Sequence, residues 1–108
     1  MWSVDYEERL RQWVSLRQSV IDKSLTEQLN TINQWWSHAP RMNNVVHWYD
    51  KSNWLTPWEL LAENGYCELA SALGLAYTII LVNDKVDVKI ALAKDESSSD
   101  VTILIVNN

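Results

Sequence analysis

Between residues 3 and 38 the chain contains neither proline nor glycine. A run of that length without a breaker leaves a helix as its natural conformation. The apolar side chains agree. Leu10, Trp13, Val14, Val20 and Ile21, with the stem of Arg17, recur at three- and four-residue steps. So do Ile21, Leu25, Leu29, Ile32 and Trp36. Such spacing gathers one apolar stripe on one helix face. Within the run, Ser24 to Glu27 has the form of a capping box, in which the hydroxyl accepts from the third amide and Glu27 reaches back. The missing breakers favour one helix over residues 4–37; the box favours two, parted near Lys23. One long helix is the expectation, two the alternative.

Residues 38–55 read as loop, because Pro40, Asn43, Asn44, Asp50, Ser52 and Asn53 are turn formers. Residues 56–64 then show a complete helix start. Thr56 is the N-cap, Pro57 fits the first turn, and Glu59 closes a capping box. Leu60 and Leu61 point inward, and Asn64-Gly65 ends the helix. A second short helix is expected over 66–73, with Gly74 as its C-terminal glycine. Beyond it the period becomes two. Residues 76–82 read as a buried strand, Asn83-Asp84-Lys85 as a hairpin turn, 86–93 as a second strand and 101–106 as a third. The fold class is therefore α+β: helices first, then a three-stranded antiparallel sheet. At 108 residues this is a single compact domain, with a helical segment over 1–37 and a small α+β core over 38–108.

The aromatic residues follow the same division. There are seven Trp, four Tyr and no Phe, and every Trp lies in the first 58 residues. Those residues carry six acidic and six basic side chains; the remaining fifty carry eight and three, which supplies the whole net charge of −5. No basic patch is present to neutralise a phosphate backbone, so direct nucleic-acid binding is disfavoured. The longest mostly apolar run, 73–82, is too short for a bilayer. The opening Met-Trp-Ser-Val-Asp-Tyr-Glu-Glu lacks the features of a secretion signal, and one lone cysteine suits a reducing compartment. A cytoplasmic or virion protein is the resulting expectation.

Cys67 falls at the start of a helix, where the macrodipole and free amides favour thiolate over thiol. That is one preparation of a nucleophile; a small buried core residue is the other reading of the same cysteine. The segment from Trp54 through Thr56, Pro57, Trp58, Glu59 and Leu61 to Gly65, Cys67 and Glu68 resembles the bacterial transglutaminase-like cysteine proteinases. The resemblance covers about residues 30–108. It implies a minimal core of that family, with Cys67 in the nucleophile's place, a histidine on the next strand and an acid on the strand after it. In those two places stand Lys89-Ile90 and Asn107-Asn108, and no histidine follows residue 47. The resemblance thus implies a retained fold without its general base. The whole chain is also similar to small Trp-rich proteins of tailed bacteriophages.

Other chemistry is less well supported. Among Glu59, Glu63 and Glu68, Glu59 is explained by its cap and Glu63 by a solvated face, rather than by an acid–base pair. His38, His47, Asp50 and Cys67 match no metal-ligand spacing, so neither metal nor cofactor is expected. Seven indoles exceed what one small core needs, and Trp is favoured at interface hot spots. Trp54 and Trp58 bracket the Thr-Pro cap and are assigned to structure, as are Thr56, Pro57, Glu59, Gly65 and Gly74. Trp2, Trp13, Trp35, Trp36 and Trp48 are the candidate partner surface. The expected function is a catalytically inactive, phage-type protein acting by protein–protein contact, as a virion or assembly component or an inhibitor of a host protein. Cysteine-dependent acyl transfer or amide hydrolysis at Cys67 is the alternative. The apolar stripe of the N-terminal helix needs a cover, which self-association would supply.

Overall fold

The computed structural model describes residues 2–41, 54–63, 65–94, 96–97 and 100–107. They form four helices and two strands in the order α1 (Tyr6–Val20), α2 (Leu25–Trp36), α3 (Pro57–Ala62), α4 (Glu68–Val82), β1 (Asp87–Lys94) and β2 (Asp100–Asn107). The architecture is helical with a two-stranded antiparallel sheet, and the first of the three strands expected from the sequence, 76–82, is helix instead.

The N-terminal run is two helices, not one. Asp5 caps α1 by accepting from the amide of Glu8 at 3.0 Å, and Ser24 caps α2 by accepting from Glu27 at 3.2 Å. The turn between them is sealed from the far side. The Gln28 side-chain amide, itself buried, donates to the carbonyl of Val20 at 3.0 Å. That carbonyl belongs to the last turn of α1 and also accepts from the Lys23 amide of the turn at 3.0 Å. A tertiary hydrogen bond at the break thus offsets the cost of stopping a helix in breaker-free sequence. The stripe of α1 finds its cover within the chain, since α1 packs on α2, α3 and α4.

In α3 the expected cap is complete. Thr56 accepts from the Glu59 amide at 3.3 Å, while the Glu59 carboxylate accepts from the Thr56 amide at 2.9 Å. That bond holds the Glu59 carboxyl below its usual range. Leu60 and Leu61 are fully buried, worth roughly 1.5–3 kcal/mol each. The far end is closed by two side chains. Arg9, only 2% exposed, donates from Nε to the Leu61 carbonyl at 2.9 Å and from Nη1 to Val4 at 2.8 Å. The Tyr66 hydroxyl donates to the Leu60 and Glu63 carbonyls. Gly65 is buried beside it; Asn64 lies outside the described residues.

The helix α4 corrects three expectations at once. The region 76–82 is not a strand, Gly74 does not end a helix, and Asn83-Asp84-Lys85 joins a helix to a strand rather than two strands. Apolar on all sides, α4 is the core helix, buried against α1, α2, α3 and the sheet. Gly74 sits in its middle because Trp36 lies against it. A Cβ at residue 74 would fall 2.5–2.7 Å from three carbons of that ring. One turn on, Thr78 accepts from the indoles of Trp13 at 2.8 Å and Trp36 at 3.0 Å, and donates to the Gly74 carbonyl at 2.7 Å. Two large rings from different helices are thereby fixed to one hydroxyl.

The strands pair from Asp87 opposite Asn107 to Lys94 opposite Asp100. Val88, Ile90, Leu104 and Val106 pack on the core, whereas Asp87, Lys89, Ile103 and Ile105 face outward. On β1 this alternation is the one the sequence showed for residues 86–93.

Candidate protein-contact groove

The tryptophans separate into two groups. Trp2, Trp35, Trp36 and Tyr66 form one aromatic cluster. Trp2 lies 4.5 Å from Trp35 and 5.5 Å from Trp36 between ring centroids, and Trp35 meets Trp36 edge-on at 5.2 Å. Trp13 belongs to the other. It meets Trp58 edge-on at 6.1 Å and carries the Arg17 guanidinium 4.2 Å above its ring. Thr78 joins the groups from beneath.

This arrangement corrects the assignment of surface. Trp13 is 1% and Trp36 4% exposed, so both are core residues, sealed by their bonds to Thr78. Trp58, assigned to structure, is 54% exposed: it sits just behind the cap, on the side of the short helix turned away from Leu60 and Leu61. Trp2 and Trp35 are half-buried at the edge of the cluster. Trp48, with His47 and Asp50, lies outside the described residues.

The half-buried Trp35 opens onto a groove between α1 and α2. One cleft, of about 580 Å³, runs along α1 past Glu8, Gln12, Ser15 and Ser19 to Leu16 and Trp35. A second, of about 230 Å³, continues from Leu16 and Trp35 to Gln34 and His38. Trp35 is held from two sides by Trp2 and Trp36, so the wall it makes is preorganised. Gln12 lines the larger cleft, and its Oε1 is buried and, among the described residues, without a hydrogen-bond partner. An acceptor left so is costly and stands ready for a donor. The polar rim is defined as well. Arg11 and Glu8 form a bidentate contact at 2.7 and 3.1 Å, which raises the arginine's already high pKa. The His38 Nδ1 lies 2.8 Å from the Gln34 carbonyl, which makes it the protonated nitrogen and leaves Nε2 to face outward. Gln12 carried no signal in the sequence: it stands among the charged residues of a helix that reads as solvated on that side.

Cys67 is the N-cap residue of α4, half-buried, and its side chain makes no capping bond. The neighbouring Glu68 carboxylate accepts from the Thr102 amide of β2 at 3.1 Å. Lys89 and Ile90 stand on β1 and Asn107 ends β2, while Asn108 lies outside the described residues. Among the described residues there is no group of three His, Cys, Asp or Glu placed to hold a metal, and no helix long and apolar enough to cross a membrane. No protein-family model matches the chain. Searches of curated proteins and of solved structures likewise find no match.

Proposed function

We propose that this chain acts by binding another protein, taking an extended or helical segment of it along the α1–α2 groove, and that Cys67 performs no chemistry in doing so. The observation that carries this reading is the buried, unpartnered Gln12 Oε1 beside the fixed ring of Trp35. A peptide supplies what the groove lacks: an N–H for Gln12 and an apolar side chain to lie against Trp35 and Leu16. Trp faces of this kind contribute disproportionately to interfaces. The likeness to small tailed-phage proteins makes a virion, assembly or host protein the partner we infer.

The test compares variants in quantitative capture of partner from the source cell. Trp35→Ala and Gln12→Leu should each lower capture by at least about tenfold, the effect of losing some 1.4 kcal/mol. Gln12→Leu removes the orphan acceptor without emptying its space, so its thermal stability should equal or exceed the parent's. Protein alkylated at Cys67 should capture as the parent does. Unchanged capture by both groove variants, or loss on alkylation alone, rejects the proposal.

A further inference from the structure

The sheet has an edge suited to pairing with itself. The Thr102 amide is bound by Glu68, so it points away from β1. Along an antiparallel ladder amide directions alternate, so the amides of Leu104 and Val106 point the same way. Among the described residues these two amides have no partner, and their carbonyls share that open side. The residues between turn outward: Ile103 and Ile105 are 42% and 41% exposed. Charge distinguishes the two edges of the sheet. β1 carries Asp87, Lys89 and Lys94, the kind of charge that discourages strand addition. β2 is uncharged from Val101 to Asn107 although the surrounding half of the chain holds the whole net charge of −5.

We propose that β2 pairs antiparallel with β2 of a second copy of this chain, about a two-fold axis through Ile105, to give a four-stranded sheet. Leu104 and Val106 of each copy then exchange hydrogen bonds with Val106 and Leu104 of the other. Every free donor in the stretch meets a free acceptor, and the pairing is self-complementary as a two-fold interface requires. No charge opposes a like charge, because Asp100 lies beyond the paired stretch. Glu68 sets the register. It keeps the Thr102 amide occupied in both copies, so pairing begins after Thr102. A two-stranded ribbon is marginal by itself, and four strands on a helical layer are not. Both copies are acidic, so added salt should strengthen the dimer.

The test is register-specific. In a Cys67→Ser background, Ile105→Cys places two thiols across a non-hydrogen-bonded pair, with Cα atoms about 4.5 Å apart, within disulfide reach. Ile103→Cys places its two thiols roughly four residues, about 13 Å, out of step. Mild oxidation should cross-link the first variant and leave the second without an intermolecular disulfide. In sedimentation equilibrium the unmodified protein should approach twice 12.6 kDa as its concentration rises. Ile105→Lys should remain at the monomer mass with an unchanged circular-dichroism spectrum. A parent protein that stays monomeric, cross-linking at residue 103, open-ended polymers, or a dimer that survives Ile105→Lys each overturns the proposal.

Discussion

At the scale of single residues, Thr78 is where the fold is most exposed to failure. Its hydroxyl serves two buried indoles and a helix carbonyl, and the residue is itself fully buried. Thr78→Val keeps the shape and orphans both indole N–H groups, at roughly 1–3 kcal/mol each. Thr78→Ser keeps the hydroxyl and loses one methyl group, about 0.8 kcal/mol. Chemical denaturation should therefore show a large loss for valine and a small one for serine. Equal losses would mean that the indoles find other partners. Nothing in Ala-Tyr-Thr-Ile-Ile foretells this role. A β-branched residue in an apolar run reads as strand, and the reason for it to be helical lies on α1 and α2.

At the scale of elements, the start of α3 was legible, that of α2 only as the alternative to one long helix, and helix ends were not. Ser24, Thr56 and Glu59 act through residues three positions away, and such local chemistry is visible in a sequence. The ends of α1 and α3 are closed by Gln28, Arg9 and Tyr66, the last two acting across the fold or beyond the helix they close. The break between α1 and α2 should accordingly depend on both kinds of contact. Ser24→Ala should cost about 1 kcal/mol, as for other N-caps. Gln28→Leu should cost more, roughly 1–3 kcal/mol, because it removes the bonds to the Val20 and Ile21 carbonyls and the acceptor of the Asn83 side-chain amide. Thermal unfolding of the two variants checks the order; a greater loss for Ser24→Ala would show that the cap dominates the break.

For the whole molecule, the chain's aromatic half and its acidic half meet in one core, and α4 is the element they share. Tyr66 reports on that junction. Burial pushes its hydroxyl up to about 12 from an ordinary value of 10, with nearby Arg9 acting weakly in the opposite direction. The folded state holds this proton more tightly than the unfolded chain. The stability this contributes is full below pH 10 and is lost as pH rises towards 12. Denaturation midpoints should therefore fall across that interval, with ultraviolet phenolate absorbance from Tyr66 appearing late in it. Tyr66→Phe should flatten much of the fall and leave the smaller part due to Tyr77, which burial also raises. A parent and variant that decline alike above pH 10 would count against a buried Tyr66.

Sequence alone determined the cap that starts α3, the division between aromatic and acidic halves, the inward and outward faces of the strand over 86–93, and the placing of Cys67 at a helix N-terminus. Each of these rests on neighbours within about four positions. Tertiary structure decided that 76–82 is helix, that Gly74 makes room for a ring, and that Trp13 and Trp36 are core while Trp58 is surface. It also decided that the Gln12 Oε1 lies buried without a donor among the described residues. The physical reason is common to all of them: the partner is distant in sequence. A period of two in an apolar run is a weak preference, and burial among three other helices outweighs it. A large aromatic side chain has no side of its own until a hydroxyl such as Thr78 takes its N–H.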